Sequence, residues 1–165
     1  MEIREAIPED KKGIAKVLCN CYNINSFEEG TETFEDEVKR GYHYIVADEM
    51  TGVVGLTTWT IHGRPKHGLA ELDRIGVISS RRGNGIAFNL INGLIERAQD
   101  YYRENGYCLR KLFLWSHENN TYAHRFYERA GFTYETSARS HYYRDLDEFM
   151  FSMFFDENGN KSDNI

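Results

Sequence analysis

The run Arg81-Arg82-Gly83-Asn84-Gly85-Ile86-Ala87 constrains this chain more than any other stretch, because it marks a strand handing over to a helix. Ahead of it lies an apolar run containing Leu72, Ile75, Val77 and Ile78. Behind it Ile86, Leu90, Ile91, Leu94, Ile95 and Ala98 recur on one stripe at helical spacing. Two glycines and an arginine therefore stand at a helix N-terminus. There the first N–H groups have no intrahelical partner and the dipole favours negative charge. Glycine lets a pyrophosphate approach that backbone, and Arg82 adds a charge-assisted contact. The junction Arg82, Gly83, Asn84, Gly85, Ile86 and Ala87 reads as a cradle for a phosphorylated ligand.

Two common cradles do not fit. A P-loop ends in Gly-Lys-Ser/Thr, which is missing here, and a dinucleotide fingerprint needs a third glycine where Phe88 stands. The fingerprint also belongs early in a strand–helix–strand unit, whereas this run lies mid-chain. A second segment, Asn120 to Phe132, reads as a capped helix. Asn119 or Asn120 is the N-cap, Ala123, Phe126, Tyr127 and Ala130 form an i, i+3, i+4, i+7 stripe, and Gly131 is placed to end it. Together, Arg82-x-x-Gly85-x-Ala87 and the later Asn120, Ala123, Phe126-Tyr127 and Gly131-Phe132 resemble the two motifs of the GNAT superfamily of N-acetyltransferases. They occur in the family's order. The motifs are specific from about Glu71 to Phe132, while the order of elements resembles the family over most of the chain.

At 165 residues with 41% hydrophobic content, the chain is expected to be one globular domain. No apolar run approaches the roughly 20 residues of a spanning helix, so no membrane partner is expected. The charged start Met1-Glu2-Ile3-Arg4-Glu5 does not resemble a signal peptide. Three cysteines (Cys19, Cys21, Cys108) cannot pair evenly, which points to the reducing cytoplasm. The six histidines are scattered without metal spacing, and His62 and His67, flanking a Gly/Pro loop, read as solvated. A net charge of −6 argues against a nucleic-acid partner.

The pattern predicts strands at Ile3 to Ala6, Tyr42 to Asp48, Val53 to Ile61, Leu69 to Ile78, Leu109 to Trp115, Thr133 to Ser137 and Tyr142 to Phe155. It predicts helices opening at Pro8, at about Thr33 to Arg40, at about Gly85 to Asn105, and after Asn120. The fold class is α/β (α+β), with a mixed sheet of about seven strands and helices on both faces. Residues 1–155 are expected to form the domain, and 156–165 a frayed polar tail. The resemblance implies a single GNAT-like domain whose fourth and fifth strands splay apart.

The chemistry follows from the acceptor. An amine with a pKa near 10.4 is almost wholly protonated near pH 7.4, a deficit of about 4 kcal/mol, so a base is useful. Glu71 and Asp73 alternate along the fourth strand and project from one face. Glu71 has the separation from Arg82 that the glutamate base has in the histone acetyltransferase branch. The resemblance therefore implies Glu71 as base, with Asp73 second; the alternative is solvated carboxylates paired with cations. At the position of Tyr127 the family carries a tyrosine that hydrogen-bonds the thioester sulfur and protonates the leaving thiolate; the alternative is a packing tyrosine.

The resemblance also implies acetyl-CoA as acyl-donor substrate and no metal. The backbone of Ile75, Gly76 and Val77 would take the pantetheine arm as an added strand, one N–H polarising the thioester carbonyl. Gly76 fits a close approach or a bulge, and Asn120 would contact the cofactor as well as cap its helix. Cys108 reads as core, so direct attack by the amine is expected rather than an acyl-enzyme. In this family the first two helices wall the acceptor groove. Glu28, Glu29, Glu32, Glu35, Asp36 and Glu37 fall there and suggest a cationic acceptor: a polyamine, a lysine or N-terminal amine of a peptide, or an aminoglycoside. The alternative is a solvated helix face. Tyr22, Phe27, Tyr142 and Tyr143 would clasp a cation or belong to the core. Two other classes remain: an acyl-CoA-binding sensor or scaffold without catalysis, and a GNAT enzyme using succinyl- or propionyl-CoA, with Phe88 and Trp115 shaping the acyl slot. Homodimers are common in the family.

Overall fold

The computed structural model describes residues 1–163. Its strands are β1 (Glu2–Glu5), β2 (His43–Glu49), β3 (Gly52–Ile61), β4 (Leu69–Val77), β5 (Lys111–His117), β6 (Thr133–Tyr143) and β7 (Leu146–Phe154). Its helices are α1 (Lys11–Cys21), α2 (Phe27–Lys39), α3 (Ile86–Glu104) and α4 (Thr121–Ala130). The strands form one mixed sheet of seven strands, as the sequence pattern predicts, in the order β1-β2-β3-β4-β5-β7-β6. The chain gathers into two compact units, the first holding residues 1–60 and 73–97, the second 61–72 and Ala98 onward. β4 thus belongs to the second unit up to Leu72 and to the first from Asp73.

In the first unit the helical stripes are buried where the spacing places them: Ile14, Val17 and Leu18 of α1 and Leu90 and Leu94 of α3 are fully enclosed. β2 pairs with β3 across the turn at Met50 and Thr51, and Ile45, Val46 and Ala47 are shut off from solvent. α2 crosses α1 at Gly30, where a Cβ would stand 2.9 Å from Ala15 Cα. Two boundaries differ from expectation. α2 starts at Phe27 rather than Thr33, because Ser26 Oγ accepts the Glu29 N–H at 3.1 Å while the Glu29 carboxylate accepts the Asn25 N–H at 2.8 Å. Ser26 is thus a side-chain N-cap, and the Glu29 carboxylate ties down the residue before it. Pro8 opens a 3-10 turn, Pro8–Asp10, and the α-helix proper begins at Lys11.

In the second unit, β4 and β5 pair in parallel from Leu69↔Lys111 to Glu71↔Phe113, and β7 lies antiparallel to both β5 and β6. Leu112, Leu114, Phe132, Phe151 and Met153 are buried, and the Tyr102 hydroxyl donates to Leu69 O at 2.6 Å. The expected break between Ser137 and Tyr142 is absent. β6 runs through it with register shifts, and the turn falls at Arg144-Asp145, where Asp145 has φ 65°. Almost all of β6 is exposed, so it carries no apolar alternation to distinguish strand from loop. Of the tail read as frayed, residues 156–163 turn back. The Asp156 carboxylate accepts the N–H groups of Asn158 and Asn160, both at 2.9 Å, and Phe155 bridges to Lys161. Asn164 and Ile165 lie outside the described residues. Among the described residues no helix is long and apolar enough to cross a membrane.

Candidate active site

The strand-to-helix junction in the first unit is built as a backbone cradle. After β4 comes a 3-10 turn, Ser79–Arg81, then extended Arg82. Gly83 and Gly85 follow at φ 79° and 74°, a region L side chains avoid, and a Cβ at either would meet nothing within 4 Å. These glycines serve the path of the chain, not packing. Asn84 Nδ2 closes the loop on Arg81 O at 3.1 Å and Arg82 O at 3.3 Å. Gly83, Asn84 and Gly85 are exposed, Ala87 is half-buried and Ile86 is buried, anchoring α3 beneath them. Arg82 is exposed, and its Nε donates to Val77 O at 2.9 Å.

The three residues expected to meet a pantetheine arm are held by α1 and the residue that follows it. The Ile75 N–H donates to the Tyr22 hydroxyl and that hydroxyl donates to Ile75 O, both at 2.8 Å. Val77 O also accepts the Cys21 thiol at 3.5 Å, and burial pushes that thiol's pKa up. Gly76 is buried, and a Cβ there would stand 3.0 Å from Cys21 Sγ and 3.3 Å from the Tyr22 ring. Its close approach is to α1.

Next along β4, Asp73 keeps 30% of its side chain exposed and lies 3.7 Å from Arg74. Burial raises its pKa, and Arg74 opposes the rise. Arg74 Nη1 donates to both oxygens of buried Glu37 at 2.5 and 2.6 Å. Glu37 also accepts the Tyr44 hydroxyl at 2.6 Å, and the phenol's pKa is raised by burial and by that carboxylate. Four of the six acidic residues noted in the sequence therefore have local tasks. Glu37 neutralises Arg74, Glu29 caps α2, Glu35 pairs with Lys11 at 3.4 Å, and Asp36 pairs with Lys39 at 3.9 Å. Glu28 and Glu32 stay exposed and form no ion pair among the described residues.

In the second unit Glu71 is well covered, its side chain 13% exposed, and its Oε2 is bonded to Nε2 of His62. His62 is 43% exposed, but its bond to Glu71 means it is not simply solvated. Its ring stands edge-on to Phe113 at 5.0 Å. His62, Leu69, Phe113, Trp115, Met150 and Phe154 line an open groove of about 580 Å³, together with the Lys111–Glu135 pair at 2.7 Å. Glu71 and Asp73 thus have different partners, despite their shared strand. The contact of His62 was missed because its loop reads as polar. Its signal is the register: the His62 N–H donates to Leu69 O at 2.9 Å, which brings the side chain to Glu71.

Tyr127 lies on α4 at 9% exposure, among the rings of Phe126, Phe132 and Phe151 at 5.5, 6.0 and 6.1 Å. Its hydroxyl makes no hydrogen bond among the described residues, and burial pushes its pKa up to about 12. Asn120 caps the helix, its Oδ1 accepting the Ala123 N–H at 3.3 Å, and Gly131 ends it at φ 96°. Trp115 stacks on His141. Tyr142 and Tyr143 are 60% and 58% exposed and do not belong to the core. Neither does Cys108, which is exposed.

The family model for the acetyltransferase (GNAT) family matches residues 11–132. Among solved structures, a ribosomal-protein-alanine N-acetyltransferase from Brucella melitensis superposes with a TM-score of 0.71 at 20% identity, covering 94% of this chain and 100% of its own. A mutant spermidine N-acetyltransferase from Vibrio cholerae gives 0.73 at 20% identity, with coverages of 93% and 95%. An aminoglycoside 6′-N-acetyltransferase complexed with coenzyme A gives 0.74 at 17% identity, with coverages of 92% and 96%. At these identities the likeness is one of fold. No curated protein sequence matches.

Proposed function

The chain belongs to the GNAT acetyltransferase family, and from that premise we propose that it moves the acetyl group of acetyl-CoA directly onto a primary amine of a cationic small molecule or peptide. The observation that carries this reading is the Arg82–Ala87 loop, with two glycines at positive φ opening onto the start of α3. Such a loop suits the pyrophosphate of a coenzyme A thioester, with Arg82 adding charge. Ile75 and Val77 offer the backbone for the pantetheine arm once Tyr22 and Arg82 yield their hydrogen bonds.

In the reaction Glu71 takes a proton from the acceptor ammonium and frees its lone pair. The amine nitrogen attacks the thioester carbonyl and the C–N bond forms; as the C–S bond breaks, the nitrogen's surplus proton leaves to water and the thiolate takes one up, giving amide and free thiol. Tyr127 stabilises the departing thiolate by hydrogen bonding. Direct attack is favoured over an acyl-enzyme, because Cys21 is held as a neutral thiol by burial and Cys108 is exposed beyond either motif. Two free carboxylates, Glu28 and Glu32, support a cationic acceptor. Names among the fold's neighbours span the same range: spermidine, aminoglycoside and ribosomal-protein alanine.

The test is steady-state release of coenzyme A thiol from acetyl-CoA with spermidine, a lysine peptide, a peptide with a free N-terminus and an aminoglycoside. Turnover with one amine class that falls at least about tenfold in Glu71→Gln and in Tyr127→Phe is expected. Acetyl-CoA binding without thiol release from any amine would favour a sensor, and no binding would end the reading.

A further inference from the structure

The edge of β4 that a pantetheine arm would pair with is already occupied by side chains. A residue in an extended strand turns its N–H and C=O to one edge, and its neighbours turn theirs to the other. Arg74 and Ile78 face β3: Thr57 Oγ1 donates to Arg74 O and the Ile78 N–H donates to Val54 O, both at 2.9 Å. Ile75 and Val77 therefore face the opposite edge, beyond Glu71, where the register of β4 with β5 ends. There one hydroxyl takes the place of a neighbouring strand. Tyr22 Oη accepts the Ile75 N–H and donates to Ile75 O, both at 2.8 Å. Two residues on, Val77 O accepts Arg82 Nε at 2.9 Å and the Cys21 thiol at 3.5 Å.

We propose that Tyr22 is a stand-in for the pantetheine arm: its hydroxyl holds both polar groups of Ile75 until a complete coenzyme A thioester displaces it. Tyr22 is thereby a specificity-determining residue of the donor site. The proposal rests on the reading of Ile75 and Val77 as the seat of that arm. To displace the hydroxyl, a ligand must bring Ile75 both an acceptor and a donor, because a group left unpaired costs more than one hydrogen bond returns. The thioester and amide groups of the arm supply both. The nucleotide end of coenzyme A, seated at the Arg82–Ala87 loop, brings neither and leaves Tyr22 in place. The displaced hydroxyl passes to water, and it returns when coenzyme A departs. The same exchange therefore loosens the hold on donor and product alike.

The position suits a displaceable group. Tyr22 is the C-cap of α1, extended at φ −133° and ψ 170°, where the chain leaves the helix. Its backbone is anchored: the N–H donates to Leu18 O at 2.9 Å and the C=O accepts the Ile24 N–H at 2.8 Å. Rotation about the side-chain bonds takes the hydroxyl off the edge without a shift of the helix. The ring lies beside Gly76, where a Cβ would stand 3.3 Å from it, and the Arg74 guanidinium sits 5.7 Å from its centroid. Phenylalanine keeps those ring contacts, so the hydroxyl can be removed alone. The competing view is a tyrosine that only pins the end of α1 to β4 and stays there when the donor binds.

The two views give opposite signs. Binding of acetyl-CoA, coenzyme A and adenosine 3′,5′-bisphosphate to the full chain is measured by calorimetry in wild type and Tyr22→Phe, beside urea unfolding of both without ligand. Displacement requires Tyr22→Phe to lower Kd for acetyl-CoA and coenzyme A about three- to tenfold, while the bisphosphate stays within about twofold and the urea midpoint falls. A pin gives the lower midpoint with unchanged or weaker acetyl-CoA binding, and that result overturns the proposal. In the second arm the chain carries 3-fluorotyrosine, and the Tyr22 fluorine signal is assigned by its loss in Tyr22→Phe or Tyr22→Met. It should move toward its position in the urea-unfolded chain when acetyl-CoA is added, and stay with the bisphosphate. A signal unmoved at saturating acetyl-CoA overturns the stand-in and leaves the donor site intact. Failure of acetyl-CoA to bind either wild type or Tyr22→Phe removes the donor reading and the proposal with it.

Discussion

Tyr127→Phe tests how far the proton travels when the thiolate leaves. Burial among Phe126, Phe132 and Phe151 pushes the phenol up to about 12, whereas a free thiol titrates near 8.5. Full transfer from this tyrosine would thus be uphill by roughly 3.5 pKa units, about 5 kcal/mol. That is too large a fraction of the barrier to be useful, so Tyr127 acts by hydrogen bonding to the thiolate. A hydrogen bond to a charged group contributes about 1.5–3 kcal/mol, so Tyr127→Phe should lower kcat by about 10- to 150-fold. KM for acetyl-CoA should change little, and because the ring contacts survive, folding stability should as well. The assay is thiol release under saturating acetyl-CoA. A loss beyond about four orders of magnitude, or none, would refute the hydrogen-bond account. The pH dependence has a sign. Below about pH 10 the folded and unfolded chains both hold the phenol proton. Between about 10 and 12 only the unfolded chain gives it up, so wild-type stability falls by up to about 3 kcal/mol, a slope missing in Tyr127→Phe. Chemical denaturation across that window measures the difference.

Three further outcomes are expected. Glu71→Gln should cut kcat by about 10²- to 10⁴-fold while Asp73→Asn stays within about threefold, read from the same assay across pH 6 to 9. Arg82→Gln should raise KM for acetyl-CoA by about 10- to 100-fold with kcat nearly unchanged, and the effect should shrink as salt increases. Arg74→Met should destabilise the fold by about 3–5 kcal/mol in urea unfolding, because it strands the buried Glu37 carboxylate, and adding Glu37→Gln should recover much of the loss.

The parts of this fold that could be read from the sequence are those whose signal is local. The α3 stripe, the Gly131 stop and the Gly83–Gly85 junction each occupy the conformation that spacing and glycine dictate. The α2 start at Phe27 is set by Ser26 as N-cap, while the run of acidic residues over 28–37 carries no apolar stripe to mark its first turns. β6 was not legible, because a strand exposed along nearly its whole length has no buried face to impose alternation. At the candidate site, the residue types at the junction and on α4 were readable. What they touch was not. Tyr22 reaching both polar groups of Ile75 and His62 reaching Glu71 are products of register and of the way α1 ends, and no local spacing encodes them.

The same distinction bears on the acceptor. Six acidic residues within one short segment look like a field that would draw a cation, but charge acts only where it is not already answered. Glu37 is answered by Arg74 at hydrogen-bond distance in a buried setting, and Glu35 and Asp36 are answered by lysines on the surface. Glu29 is committed to an N–H of its own helix start. What remains is Glu28 and Glu32, one helical turn apart on α2 and so on one face. Two like charges at that spacing repel by a few tenths of a kcal/mol, a cost that a bound ammonium would relieve. An acceptor with two separated amines would relieve it more than one with a single amine. Selectivity among amines, if it comes from α2, should therefore follow the number and spacing of positive charges rather than total charge.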